Sequence, residues 1–225
     1  MNTKYYSVKK GNYFSNVRRD IISLIPDNPG QKILEVGAGT GNTLLYIKEN
    51  RLAAEVMGVE LMKIPGSSQD HPAIDRFQIA NIEQEDIRAE EGYFDVILCP
   101  DVLEHLIDPW AAVEKISRYL KKDGLLIVSI PNLREWRTIF SILFKGDFSY
   151  QPEGGIMDRT HLRYFCKKNV YQLLSIPTLS VIYSKPNFML KIFPEARKRR
   201  IFNLLTFRLL EDFLTVQYLF IARKS

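Results

Sequence analysis

The chain has 225 residues, 46% hydrophobic and 25% charged, which is enough for one α/β domain with a sizeable core and short for two. Its net charge is +5 and its two cysteines, Cys99 and Cys166, have neither metal-ligand spacing nor a disulfide framework, which suits a reducing cytoplasm. The N-terminus, Met1 to Lys10, lacks the apolar core of a signal peptide, and no uncharged apolar run approaches the ~20 residues of a spanning helix, so a cytoplasmic chain without a transmembrane segment is expected.

Residues 1–26 read as an N-terminal helical cover, in which Tyr5, Tyr6, Tyr13 and Phe14 precede an amphipathic segment, Val17 to Ile25, stopped by Pro26 and Gly30. Ile33 to Val36 is a short apolar strand that ends in Gly37, Gly39 and Gly41, and Asn42 to Ile47 opens a helix. Ala53 to Val59 gives a second strand ending in Glu60, Phe77 to Ile82 a third, and Tyr93 to Cys99 a fourth. A helix starts at Asp108-Pro109, where Asp caps and Pro suits the first turn, and runs through Leu120 to a stop at Gly124. Leu125 to Ile130 is a fifth, almost wholly apolar strand. Continuous apolar strands alternating with helices indicate a parallel sheet covered on both faces.

Beyond Pro131 the rhythm breaks. Residues 132–165 are aromatic and loop-like, which reads as a flap inserted after strand five, over the acceptor site. A helix from Lys167 to Ile176, a strand from Ser180 to Ser184, a helix from Ile201 to Phe213 and a last strand from Thr215 to Arg223 follow, with no internal repeat or low-complexity linker. A single domain over 1–225 is the simplest account.

The glycine turn is where such sheets bind nucleotides, because glycine takes positive φ and lets a ligand approach the backbone. A phosphate-cradling loop would end in Gly-Lys-Ser/Thr, but Asn42 and Thr43 follow Gly41. A dinucleotide fingerprint wants Gly-x-Gly-x-x-Gly, and Asn42 occupies its last position; Glu35, two residues before the first glycine, would also face an anionic pyrophosphate. S-adenosylmethionine has no phosphate and carries a sulfonium and an ammonium, so a carboxylate at Glu35 complements it. Glu60 can accept both ribose hydroxyls of any such cofactor.

Glu35-Val-Gly-Ala-Gly-Thr-Gly41, Gly58-Val-Glu-Leu61, Phe94-Asp-Val-Ile97 with Asp101 to Pro109, and Leu120-Lys-Lys-Asp-Gly124 with Ser129-Ile-Pro-Asn132 follow one another along the chain. In this order they resemble the class I S-adenosylmethionine-dependent methyltransferases, over roughly residues 10–175. The resemblance implies a Rossmann-like, seven-stranded, mostly parallel sheet with its last strand antiparallel, S-adenosylmethionine as cofactor and S-adenosylhomocysteine as product. It implies cofactor contacts from Glu35, Gly37, Ala38, Gly39, Gly41, Glu60, Leu61 and Pro100, with Asn81 at the adenine amino group and Ile82 against the adenine ring. Arg18 or Arg19, with Tyr13, stands where relatives place a cation for the methionine carboxylate, although a solvated helix face explains these arginines equally well. Asp123 departs from the pattern, standing where the family has glycine.

Methyl transfer needs an aligned acceptor and, for a hydroxyl, a base. Three histidines are present: His71, His105 and His161. His71 sits in a polar loop and reads as surface. His105 follows the fourth strand, at the sheet edge where ligands bind, and His161 closes the flap in Met157-Asp-Arg-Thr-His-Leu-Arg-Tyr-Phe165, a segment similar to one in surface-sugar and natural-product methyltransferases. Both are candidate catalytic residues, and packing roles are the plainer alternative for each. Asp101, Glu104 and His105 with His161 also resemble the Glu-x-x-Glu-His plus distant His metal site of some RNA-end and ubiquinone-pathway O-methyltransferases, with a first carboxylate one carbon shorter. The expected activity is methyl transfer to a small-molecule or glycan-type acceptor at oxygen. An RNA methyltransferase and a non-catalytic cofactor-binding domain are the alternatives. The basic run Arg197 to Arg200 suits a solvated face, an anionic acceptor or a lipid head group; nucleic acid is a minority reading without an RNA-binding module, and a dimer is compatible with the sequence.

Overall fold

The computed structural model describes residues 17–152, 154–188 and 196–225. In chain order the elements are α1 (Arg19–Ile22), β1 (Lys32–Val36), α2 (Asn42–Glu49), β2 (Glu55–Glu60), β3 (Arg76–Ile79), β4 (Phe94–Pro100), α3 (Pro109–Arg118), β5 (Leu120–Pro131), α4 (Trp136–Lys145), α5 (Lys167–Leu174), β6 (Leu179–Asn187), α6 (Ala196–Leu205), α7 (Glu211–Leu214) and β7 (Gln217–Lys224). The strands form one seven-stranded sheet in the order β3-β2-β1-β4-β5-β7-β6. Strands β1 to β5 pair in parallel, and β7 runs antiparallel to both β5 and β6. The Rossmann-like architecture expected from the motifs is therefore present.

Alternation of side chains along each strand splits the core into two layers. Leu34, Val36, Ile97, Cys99, Leu126 and Val128 face one side with Val113 and Ile116 of α3 and Leu173 and Leu174 of α5. Ile33, Val96, Leu98 and Ile127 face the other with Ile21 of α1 and Leu44 and Ile47 of α2. Because both sides are dry, neither face can alternate with polar residues, and the strands read as unbroken apolar runs.

Several boundaries differ from those expected. Strand β5 begins at Leu120 rather than Leu125 and β3 ends at Ile79 rather than Ile82. Asp123 takes a φ of +62°, so it adopts the left-handed conformation that glycine would give, and Asp tolerates it better than most residues. The stretch 132–165 is not wholly loop: α4 occupies Trp136–Lys145, opened by Glu135, whose carboxylate accepts from the Arg137 and Thr138 amides, and closed by Gly146 at φ +61°. The helix expected over Ile201 to Phe213 is broken into α6 and α7 by Phe207 (φ +50°) and Arg208 (φ +65°). No glycine or proline marks that break in the sequence.

The bases of α4 and α6 are tied together. Arg199 Nη2 lies 2.7 Å from Glu135 Oε1, with both side chains 5% exposed, and Arg199 Nη1 donates to the Leu214 carbonyl at 2.7 Å. Removing one member of a buried pair strands the other charge, at about 3–5 kcal/mol. Arg199→Met is expected to lower the unfolding free energy by about 3 kcal/mol in urea melts; a shift under about 0.5 kcal/mol would mean that water reaches Glu135 once the arginine is gone.

Candidate active site

The strand order reverses between β1 and β4, and at their carboxyl ends lies a cavity of about 510 Å³. Open α/β sheets bind their ligands in that crevice. Its walls include Arg18, Glu35, Gly37, Ala38, Gly39, Glu60, Leu61, Asn81, Ile82, Pro100 and His161, so most of the residues singled out in the sequence converge here. Gly41 and His105 do not reach the wall, and Tyr13 lies outside the described residues. His71 is exposed, as expected.

The turn after β1 is built on positive φ. Gly37 has φ +71°, and a Cβ there would stand 2.4 Å from Val102 Cγ2. Gly41 has φ +80° and caps α2, with Ile74 Cδ1 at 3.1 Å from where its Cβ would fall. Gly41 therefore shapes the turn from behind rather than meeting the cavity. The Glu60 carboxylate grips the same turn: Oε2 accepts from the Gly39 amide and Oε1 from the Leu61 amide, both at 2.8 Å. Burial raises its pKa although the Gly39, Leu61 and Met62 backbone amides oppose the shift. Each oxygen retains a second lone pair for a ligand hydroxyl. The Asn81 side-chain carbonyl likewise already accepts from the Glu83 amide at 3.0 Å.

Glu35 is the unusual carboxylate. Burial pushes its pKa up to about 8, with Arg18 opposing that shift, Glu60 adding to it and a hydrogen bond from Thr43 opposing it. Its Oε2 is buried and has no hydrogen-bond partner among the described residues. An acceptor of this kind, beside a glycine turn whose backbone lies open, fits a cationic group brought by a ligand.

Arg18 lines the wall with its charge met by protein groups. Nη1 donates to Asp101 Oδ2 at 2.5 Å, Nε to Asp20 Oδ1 at 3.0 Å and Nη2 to Ser129 Oγ at 3.0 Å. Burial works against the guanidinium, yet Asp101 and Asp20 outweigh it and hold the charge. Asp101, at φ +55°, also accepts from Ser129 Oγ at 2.9 Å and from Gln217. Its carboxylate is thus committed to Arg18 and does not join Glu104 and the histidines, which removes it from the metal-site pattern. The partners Ser129 and Gln217 lie 111 and 199 residues from Arg18 along the chain, and nothing in the sequence signals them.

Glu104, His105 and His161 do come together, with one ligand atom from each within 4.8 Å of the others. The two imidazole centroids are 4.7 Å apart at 70°. His161 Nδ1 lies 2.9 Å from the Ile156 carbonyl oxygen, which can only accept, so Nδ1 carries the proton and the lone pair is on Nε2. His105 Nδ1 lies 3.1 Å from the Thr160 carbonyl and 3.1 Å from Thr160 Oγ1. Since Thr160 Oγ1 donates to Asp158 at 2.7 Å, it too accepts from His105, and the same tautomer follows. The backbone after His161 is pinned to this corner: the Leu162 and Arg163 amides donate to the Glu104 carbonyl at 2.8 and 3.0 Å. The Glu104 carboxylate is fully buried, and neither oxygen has a partner in another described residue. Burial, with Asp101 adding to it, raises its pKa well above the ordinary carboxylate range.

Residues 11–189 match the methyltransferase domain family. The chain belongs to that family. It is a class I S-adenosylmethionine-dependent methyltransferase, and S-adenosylmethionine is its cofactor. The ubiquinone biosynthesis O-methyltransferase of Xanthomonas oryzae pv. oryzae is 35% identical over 120 residues, covering 52% of this chain and 49% of that protein. The chain thus aligns with about half the length of the curated relatives it matches. Among solved structures, the S-adenosylmethionine-dependent methyltransferase of Mesorhizobium loti aligns with a TM-score of 0.63 over 91% of this methyltransferase and 96% of that chain, at 12% identity. The Burkholderia thailandensis 1,6-didemethyltoxoflavin-N1-methyltransferase, bound to its acceptor and S-adenosylhomocysteine, aligns with a TM-score of 0.63 over 99% of this chain and 84% of that one, at 17% identity. At such identities these structures share the fold alone.

Proposed function

We propose that this methyltransferase moves the methyl group of S-adenosylmethionine to a hydroxyl oxygen of a small-molecule or glycan-type acceptor, with the stretch 132–165 serving as the flap over that acceptor. The observation that carries the reading is His161. It stands on the cavity wall with its ring proton held by the Ile156 carbonyl, which leaves the basic nitrogen as Nε2. The cofactor, when bound, supplies a methyl group already activated on sulfur. Glu35 receives the ammonium of its methionine end, Glu60 its ribose hydroxyls, and Asn81 and Ile82 its adenine. Arg18, neutralised by Asp20 and Asp101, orders the wall between β4 and β7. His161 then takes the acceptor proton as oxygen attacks, while His105 and Thr160 hold the flap corner. The two unpaired cysteines support a reducing, cytoplasmic setting.

A second reading of the same corner is favoured by the Glu104 carboxylate, which is buried with no donor from another described residue. Glu104, His105 and His161 offer one oxygen and two imidazole nitrogens, a set that suits Zn²⁺, Mn²⁺ or Fe²⁺. A divalent cation held there would acidify an acceptor hydroxyl. Both readings place the same proton at the same corner.

Transfer of labelled methyl from the cofactor into three pools (phenols and catechols, sugars, and total RNA) tests the proposal with the full chain. Label in a hydroxyl compound, recovered as a methyl ether, is the expected result. Label confined to RNA, or no transfer into any pool while S-adenosylhomocysteine still binds, overturns it in favour of the RNA-modifying or non-catalytic alternative.

A further inference from the structure

Apart from the cavity, the most unusual feature of the surface is a concentration of bare apolar side chains on α4 and on the α6–α7 hairpin. No residue of α4 is buried. Trp136, Phe140, Leu143 and Phe144 are all exposed, and their spacing of i, i+4, i+7 and i+8 makes a single helical stripe. Beyond α6, Phe207 and Leu209 follow Leu204 and Leu205 as large apolar side chains in solvent. Leu143, Phe144, Leu205, Phe207 and Leu209 are each at least 69% exposed. Such a grouping on a folded protein marks an interaction surface. The buried Glu135–Arg199 pair couples the two helices at their bases.

The charge around these side chains selects the partner. Residues 136–145 contain Arg137 and Lys145 and no acid; residues 196–210 contain Arg197, Lys198, Arg199, Arg200 and Arg208 and no acid, and the two acids that open α7 are already paired, Glu211 with Arg208 and Lys167 and Asp212 with Arg134. Arg197, Lys198, Arg200 and Lys145 are exposed. A second copy docking on this face through a two-fold axis would set cations against cations. Nucleic acid would welcome the cations but not Leu143, Leu204, Leu205 and Leu209. Exposed apolar side chains interspersed with exposed Lys and Arg fit an anionic lipid bilayer, where the apolar side chains enter the acyl boundary and the cations meet the head groups.

We infer that α4 and the α6–α7 hairpin form a peripheral membrane-docking surface for anionic lipid bilayers. The surface adjoins the site along the chain: β5 ends at Pro131, on the cavity wall, five residues before α4 begins, and α7 ends at Leu214, two residues before Val216, also on the wall. Docking there holds the cavity rim near the lipid. It needs no spanning segment, and among the described residues no helix is long and apolar enough to cross a membrane.

Co-sedimentation of the full chain with phosphatidylcholine vesicles, with and without phosphatidylglycerol, tests this without cofactor or acceptor, so its outcome is independent of the proposed chemistry. The protein is expected to pellet with the anionic vesicles, less so at high salt, and to remain in solution with pure phosphatidylcholine. Arg197→Glu/Arg200→Glu and, separately, Leu205→Glu/Phe207→Glu are each expected to weaken partitioning about tenfold or more with unchanged thermal midpoints. The inference is overturned if the wild type stays in solution with anionic vesicles, or if both double variants pellet as it does. A concentration-dependent dimer that Leu205→Glu/Phe207→Glu dissolves, with no vesicle binding, would also overturn it and assign the face to a second copy of the chain.

Discussion

Glu35→Gln is expected to weaken S-adenosylhomocysteine binding about 10- to 100-fold, the worth of a buried hydrogen bond from a cation to a charged acceptor. The pH dependence identifies the cause. With its pKa pushed up to about 8 by burial, Glu35 is largely protonated in the ligand-free protein at pH 6 and 7. Receiving an ammonium requires it to ionise, so the wild-type dissociation constant should fall about tenfold from pH 6 to pH 7. The Gln variant, which cannot ionise, should show no such fall. Calorimetric titrations at the two pH values check both statements, and a flat wild-type profile would remove Glu35 from the ammonium site.

The same group sets a stability trend of opposite sense. An unfolded glutamate titrates near 4.3, whereas folded Glu35 titrates at about 8. Between those values the folded state holds a proton that the unfolded state has lost, so this contribution to stability is complete below the lower value and is lost as pH rises through the higher. Glu104 is shifted in the same direction and adds to the decline. Ligand-free wild type should therefore be less stable at pH 8 than at pH 6. Glu35→Gln, a neutral isostere, should be the more stable protein and the poorer binder at pH 8, with the difference in affinity narrowing as pH falls. Stability and ligand affinity are opposed at this residue, as expected where a buried acid is kept for a charge that only the ligand supplies.

How much of this was legible in the sequence follows from the range of the interactions involved. The β1 turn, Glu35, Glu60 and the parallel strands are encoded locally, by glycine spacing and apolar runs; the structure has the parallel strands as read and sets Glu35 and Glu60 on the cavity wall. Gly41 has the right spacing, but only packing against Ile74 reveals that it works behind the turn. Asp101 and His105 sit in one loop and share one possible metal-site pattern in the sequence; the Arg18 guanidinium takes the first and the Thr160 carbonyl fixes the second. The hub at Arg18 joins β4, β5 and β7 through residues far apart in the chain, which no local pattern can announce. Helix α4 was missed for a different reason. The helical spacing of Trp136, Phe140, Leu143 and Phe144 is present in the sequence, but it is short and lies within an aromatic stretch that reads as loop, and the break at Phe207 and Arg208 uses left-handed residues without a glycine.

His161→Ala should reduce kcat by about 10²- to 10⁴-fold, the usual contribution of a positioned acid or base, while leaving the S-adenosylhomocysteine dissociation constant within about twofold. In the proposed reading His161 meets the acceptor, whereas the cofactor lies on the turn built by Gly37, Gly39 and Glu60, so the two readouts separate. His105→Ala should cost less, since its ring acts through Thr160 and the flap rather than from the wall. Chelator and Glu104→Gln then divide the two readings of the corner. If His161 works alone as a base, activity survives both chelator and Glu104→Gln. If Glu104, His105 and His161 hold a cation, chelator and Glu104→Gln both remove activity, and adding a divalent metal restores only the chelated wild type. Full activity in His161→Ala, or a loss of activity matched by an equal loss of cofactor affinity, would show that the flap histidine serves only to close the site. Glu104, a buried acid held in its protonated form and without a hydrogen-bond partner in any neighbouring described residue, would then be an unsatisfied polar group, which folded proteins rarely keep without use.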